Sequence, residues 1–251
     1  MSIAPLPSNL LPALPPRAAL LLDLDGTLLD IAPTPDAVVV PPDLPRSLRR
    51  LRELLGEAVA VVTGRPVEQI DALLPGLPFA VAGEHGGAIR HAPGEALERA
   101  NLPTAPAEWR EQAGRVAAGY PGVLIEDKVR GFVLHYRAMP EIGPVLRQAM
   151  LSIMADPHRP AADGSFELMR AHMAWELKPR GVDKGHAVRG IMARAPFAGR
   201  TPVYVGDDVT DEDGMRVARE AGGQGYRVQD VFGDPAGVRA WLARLAEGRG
   251  P

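Results

Sequence analysis

Four apolar runs constrain this chain more than any other feature, because each hands over to polar residues and glycine at its carboxyl end. Ala18 to Leu22 leads into Asp23-Leu24-Asp25-Gly26-Thr27, and Ala58 to Val62 leads into Thr63-Gly64-Arg65. Phe79 to Ala82 leads into Gly83-Glu84-His85-Gly86-Gly87, and Thr201 to Val205 into Gly206-Asp207-Asp208. Continuous apolar runs without alternation suit strands buried on both faces, as in a parallel sheet. Helical patterns lie between them, over 44–55, 67–74, 184–193 and 211–221. Strands alternating with helices predict an α/β fold whose core is a doubly wound parallel sheet, Rossmann-like in layout. Such sheets bind ligands at the carboxyl ends of their strands. The four polar endings are therefore expected to meet at one edge.

The rhythm breaks between 102 and 178. There the pattern predicts a helix over 107–118, strands over 123–128 and 132–136, a helix over 141–154, and strands over 165–169 and 173–177. The order α-β-β-α-β-β suits an antiparallel sheet with helices on one face. It reads as an α+β cap domain inserted into the core, bordered by Pro103, Pro106, Pro179 and Gly181. The expected division is a core of 17–101 with 179–251 and a cap of 102–178. Residues 1–16 carry prolines at 5, 7, 12, 15 and 16 and read as a loosely ordered extension.

The 251 residues are 46% hydrophobic and 24% charged, ordinary for a globular protein, and the net charge of −3 offers no basic excess for nucleic acid. The absence of cysteine excludes disulfides, thiolate metal sites and cysteine nucleophiles. No apolar run approaches a membrane span, and the N-terminus lacks the basic start and apolar segment of a secretion signal. A cytoplasmic monomer without membrane or nucleic-acid partners is expected. Of the 28 Lys and Arg residues only Lys128, Lys178 and Lys184 are lysines, so each of these positions invites a specific reason.

Asp23 and Asp25 at a strand end offer a nucleophile and a second carboxyl to move protons. Two adjacent negative charges also call for a hard cation such as Mg²⁺, which prefers oxygen ligands. The ordinary alternative is a tight turn after a strand. Thr63 could hold a phosphate oxygen or cap the following helix. Lys184, in Val182-Asp183-Lys184-Gly185, could neutralise phosphate or be a solvated lysine. Asp207, Asp208, Asp211, Glu212 and Asp213 make a dense acidic run. Favourable charge at a helix N-terminus accounts for the last three but poorly for Asp207 and Asp208.

In this order the four clusters resemble the haloacid dehalogenase-like phosphatase superfamily. That resemblance implies that Asp23 attacks phosphorus to form an aspartyl-phosphate, and that Asp25 protonates the leaving oxygen and then deprotonates water. It implies Mg²⁺ held by the Asp23 carboxylate, the Asp25 backbone carbonyl and Asp207. Thr63 and Lys184 would hold the non-bridging oxygens. Asp208 and Asp211 would position the metal, its waters or Lys184.

Further segments resemble the trehalose-6-phosphate phosphatases. They are Gly83-Glu84-His85-Gly86, Glu126-Asp127-Lys128, His135-Tyr136-Arg137, Glu176-Leu177-Lys178-Pro179, Val182-Asp183-Lys184-Gly185, and the run from Gly206 to Asp213. The resemblance spans about 18 to 232 and implies a sugar-phosphate substrate. Glu126 and Lys128 stand two apart on one predicted strand and so share a face, with Glu176 expected on a neighbouring strand of the same sheet. The resemblance places all three at the glucose farther from the phosphate, with Arg137 near the phosphate or ordering the cap. Gly64, Arg65, Glu84, His85 and Gly86 complete the expected substrate contacts. A solvated sheet face with cross-strand ion pairs is the competing reading for Glu126, Lys128, Glu176 and Arg137. Three residues depart from the family pattern: Met215 in place of phenylalanine, Lys178 in place of arginine, and His172 in place of a more basic contact. Phosphatases of sucrose phosphate, a mannosyl phosphate or a hexose phosphate remain alternatives, as do a phosphotransferase or mutase and a non-catalytic sugar-phosphate sensor.

Overall fold

The computed structural model describes residues 11–34, 37–155, 164–171 and 173–248. Contacts divide the chain into two compact units, one formed by residues up to Ala100 and from Val182 onward, the other by Asn101–Gly181. The sequence placed these borders at 101/102 and 178/179.

The first unit holds a seven-stranded sheet. Its strands are β1 (Ala18–Leu22), β2 (Val59–Val62), β3 (Ala80–Gly83), β4 (Ala88–Arg90), β5 (Glu98–Arg99), β10 (Thr201–Gly206) and β11 (Gln224–Arg227), in the order β11-β10-β1-β2-β3-β4-β5. The strands from β11 to β3 are parallel, with Leu22 opposite Val205 on one side and Val61 on the other. β4 and β5 add an antiparallel edge. Every residue of β1, β2 and β3 is buried, as continuous apolar runs require.

Because side chains alternate along a strand, each run feeds two cores. Leu20, Leu22, Val59, Val61, Val203 and Val205 pack with α1 (Leu44–Leu54), α2 (Val67–Leu73) and α7 (Pro235–Ala246). Leu21, Ala60, Val62, Ala82 and Tyr204 pack with α5 (Lys184–Met192) and α6 (Asp211–Glu220). Helices on both faces make the sheet doubly wound, as expected. Met215, one of the family departures, is fully buried in the second of these cores and serves simply as a hydrophobe.

The second unit has α3 (Ala107–Ala118), β6 (Leu124–Asp127), β7 (Phe132–His135), α4 (Gly143–Met154), β8 (Phe166–Ala171) and β9 (Ala174–Pro179), an α-β-β-α-β-β sequence. Its four strands are antiparallel in the order β6-β7-β9-β8. Phe132, Leu134, Phe166 and Leu177 face α3 and α4, where they meet Trp109, Ala113, Met150 and Ile153. Trp109 and Phe166 pack edge to face at 5.5 Å. The register gives the opposite face Glu126, Val133, His135, Glu167, Glu176 and Lys178.

Three expectations need correction. The helix expected from Glu141 begins at Gly143, because Pro140–Ile142 form a 3₁₀ turn before it. Glu176 shares the sheet of Glu126, but β7 stands between their strands. Residues 11–16 are anchored rather than loose: Leu11 and Leu14 pack on the core, and Trp241 donates its indole N–H to the Pro12 carbonyl at 2.8 Å. Residues 1–10 and His172 lie outside the described residues. No helix among the described residues is long and apolar enough to cross a membrane.

Candidate active site

All four polar endings lie at the carboxyl edge of the parallel strands, and a lysine ties the first of them to the acidic run that follows the last. Asp23 follows β1 and is 3% exposed; its backbone N–H donates to the Val205 carbonyl, so the ladder fixes its start. Lys184 opens α5, equally buried, and donates from Nζ to Asp23 Oδ1 and to Asp211 Oδ1, both at 2.7 Å. The solvated-lysine alternative is thereby excluded. Asp183 supplies the N-cap, accepting from the His186 N–H, and so sets where α5 begins. Thr27 Oγ1 donates to the other Asp23 oxygen at 3.2 Å.

Asp211 is a hub. Its Oδ1 accepts from Lys184 and from the Tyr204 hydroxyl at 2.7 Å, and its Oδ2 from the backbone N–H groups of Asp207 and Asp208 at 3.2 and 3.0 Å. It opens α6 yet is fully buried, so it does more than favour a helix N-terminus. Asp208 turns its carboxylate back to the Val209 N–H. Arg227, at the end of β11, donates to the Asp207 carbonyl at 3.4 Å and pairs with Glu212, tying down the acidic loop.

Carboxylate oxygens of Asp23, Asp207 and Asp211 come within 4.8 Å of one another. Burial, then repulsion from Asp211, raises Asp23 well above the usual carboxylate range, with Lys184 opposing. Burial and Asp211 push Asp207 up to about 6. The same two causes raise the Tyr204 phenol, and Lys184 is raised by its two carboxylates against the cost of burial. Four protein donors occupy Asp211, whereas Asp23 and Asp207 keep oxygen lone pairs in a crowded negative pocket. An all-oxygen set of this kind fits a hard divalent cation. Gly26 makes the approach possible: with φ +79° it turns the chain, and a Cβ there would lie 2.2 Å from Asp207 Oδ2.

The other predicted residues occupy the same edge. Thr63, 2% exposed, accepts from the Arg65 N–H at Oγ1 and does not cap α2, whose N-cap is Pro66. Arg65, expected among substrate contacts, turns its guanidinium onto Asp25, with Nε to Oδ2 at 2.6 Å and Nη2 to Oδ1 at 2.8 Å, and reaches Gln69 at 3.2 Å. It thereby fixes the rotamer of Asp25. Glu84 and His85 both take φ +54°, unusual outside glycine and a common mark of functional loops. Glu84 pairs with Arg99, while the His85 ring lies over Gly64, where a Cβ would come within 2.6 Å of Nε2. Gly86 follows them and approaches the Asp183 carbonyl ahead of α5.

The second unit gathers a different set. Lys128 pairs with Glu126 Oε1, and His135 Nε2 lies 2.8 Å from Glu126 Oε2. Burial would raise the Glu126 carboxyl, but His135 and Lys128 together lower it to about 2. Glu176 is buried two strands away, opposite Val133. Lys178 pairs with Glu167 at 3.1 Å on the adjoining strand. Arg137 follows β7 and is half-buried.

Sequence reasoning gave no role to Tyr204 or Arg227, nor to Thr27 and His135, although these last two lie in segments quoted for the resemblance. A phenol set between Val203 and Val205 in β10 was the signal for Tyr204. His135 follows the β7 apolar residues and reads as an ordinary strand residue.

The trehalose-phosphatase family model matches residues 21–243. The chain belongs to the trehalose-phosphatase family. Trehalose-6-phosphate phosphatase of Escherichia coli is 38% identical over 218 residues, covering 86% of this chain and 79% of that one. A Sinorhizobium fredii protein named "Probable trehalose-phosphate phosphatase" is 42% identical over 212 residues, covering 84% and 77%. The C-terminal domain of Candida albicans trehalose-6-phosphate phosphatase has the same fold, with a TM-score of 0.74 at 21% identity over 92% of this chain and 93% of that one. The trehalose-phosphatase match includes both units and every residue named at the two polar clusters.

Proposed function

We propose that this chain hydrolyses trehalose 6-phosphate to trehalose and phosphate. The observation that carries the proposal is the buried Asp23–Lys184–Asp211 cluster at the carboxyl edge of the sheet, in a chain that the trehalose-phosphatase model matches over 21–243. An Asp23 oxygen attacks phosphorus and the bond from phosphorus to the sugar oxygen breaks. A proton from Asp25 goes to that oxygen, leaving trehalose and an aspartyl-phosphate. Asp25 then takes a proton from water, whose oxygen attacks phosphorus and restores the Asp23 carboxylate. Lys184 and Thr63 hold the non-bridging oxygens where charge develops. Asp211 and Tyr204 hold Lys184 in place, and Arg65 orients Asp25.

Asp23, Asp207 and the Asp25 backbone carbonyl would hold Mg²⁺, whose charge offsets the repulsion between carboxylate and phosphate. Glu126, Lys128 and Glu176 are assigned to the outer glucose through hydrogen bonds to its hydroxyls, and Arg137 to the phosphate side.

Phosphate release from a panel of trehalose, sucrose, mannosyl and hexose phosphates, with and without Mg²⁺, tests the proposal. The expected result is release from trehalose 6-phosphate above the others, and only with the cation. Preference for another ester would replace the substrate, and silence on all of them would favour a sensor.

A further inference from the structure

We infer that His135 is a specificity-determining residue, holding the Glu126 carboxylate in the orientation that meets the outer ring of a disaccharide phosphate. The inference rests on the assignment of Glu126 to that ring and adds a residue to it.

The placement follows from the register. On the middle strand β7, Val133 is flanked by Glu126 of β6 and Glu176 of β9. His135 lies two residues along β7, on the same face, between Leu124 and Ala174. It is therefore diagonal to both carboxylates, within reach of a long side chain. The small side chain of Ala174 leaves room beside the imidazole.

An ionised carboxylate offers about four lone-pair sites over its two oxygens. Here Lys128 takes one site on Oε1 and His135 takes one on Oε2, at 2.8 Å. One site then remains on each oxygen, suited to two neighbouring hydroxyls of a pyranose ring. The terminal torsion of a glutamate is broad, and a lysine is a flexible point charge. Lys128 alone leaves the carboxylate free to turn, whereas a second donor from a rigid ring on the central strand stops it. An exposed cross-strand ion pair would achieve little of this. The side chains of Glu126, Lys128 and His135 are only 21, 19 and 19% exposed.

The test is steady-state kinetics with Mg²⁺ on trehalose 6-phosphate and on p-nitrophenyl phosphate, which has no second sugar. Four variants are compared: His135→Phe, His135→Gln, Glu126→Gln, and the double variant of His135→Phe with Glu126→Gln. His135→Phe is expected to raise KM for the disaccharide phosphate about tenfold or more, the worth of a hydrogen bond to a charged group. It should leave kcat within about twofold and the aryl phosphate unaffected. His135→Gln, which returns a donor near the Nε2 position, should recover most of the loss. In the double variant His135→Phe should add little to Glu126→Gln, because the histidine acts through the glutamate.

Equal losses on both substrates, additive effects, or a glutamine variant as impaired as phenylalanine would overturn the inference. If Glu126→Gln raises the disaccharide KM and His135→Phe does not, the inference alone falls. If Glu126→Gln itself spares that KM, the assignment of Glu126 to the sugar falls first and takes the role of His135 with it. A thermal melt of each variant identifies misfolding. Should the phenylalanine variant misfold, His135→Ala replaces it with the same expected and contrary results.

Discussion

Two clusters, each built on a lysine and a carboxylate, have opposite electrostatic character. In the first unit Lys184 bridges two deeply buried carboxylates, and burial with crowding raises Asp23 well above the carboxylate range. In the second, Lys128 and His135 share one partly buried Glu126 and lower it to about 2 despite its desolvation. The first cluster has more negative charge than its one lysine balances, which suits a centre that recruits a cation and performs displacement. The second has donors to spare for its carboxylate, which suits recognition of neutral hydroxyls. On the proposed function, chemistry and specificity would divide by charge balance rather than by residue type.

The comparison breaks most visibly at Asp23. Asp23→Asn should lower kcat by about 10⁴-fold or more, as expected for loss of a nucleophile, while its thermal unfolding midpoint stays at or above that of the parent. An active asparagine variant would remove the first cluster from the chemistry. Lys184→Ala should be the most damaging to the fold, by about 3 to 5 kcal/mol in denaturant unfolding, because it strands buried carboxylates. A mild effect would show that water or a counter-ion reaches them.

Glu126→Gln sharpens the other side. A carboxyl whose folded value is about 2, below its ordinary 4.5, binds fewer protons when folded than when unfolded. Its contribution is therefore complete above about 4.5 and is lost as pH falls toward 2. The parent should exceed Glu126→Gln in stability by on the order of 1 to 3 kcal/mol near neutrality, with the gap narrowing below pH 4.5. A gap independent of pH would mean that the pairing does not hold in solution. The smallest effect is expected from Tyr204→Phe, which removes one of four donors to Asp211. A loss of about 1 kcal/mol in stability, with kcat reduced severalfold and KM unchanged, would mark Tyr204 as acting through Asp211 and Lys184.

The parts of the fold that were legible are those where one local signal suffices. β1 is a five-residue apolar run, and the structure begins and ends it where the run does. β11 reads Gln-Gly-Tyr-Arg and β5 is Glu-Arg, so neither carries an apolar signal; both exist because a neighbouring strand offers its free edge. The site divides in the same way. Asp23, Thr63, Lys184 and Asp207 stand at the ends of runs or the start of a helix, where polarity changes abruptly. The grip of Arg65 on Asp25 joins residues 40 apart, and that of Lys184 on Asp23 residues 161 apart. Pairings of that kind belong to the topology and leave no trace in local spacing.

Gly26 carries a consequence for how variants of this chain should be interpreted. Exchange for alanine would be scored as conservative, since it adds one carbon and removes no reacting group. Yet that carbon would sit 2.2 Å from Asp207 Oδ2, where the carboxylate now lies. A methyl group at position 26 would have to push that carboxylate aside, and on the proposed function it would act as an inhibitor one atom long, permanently tethered.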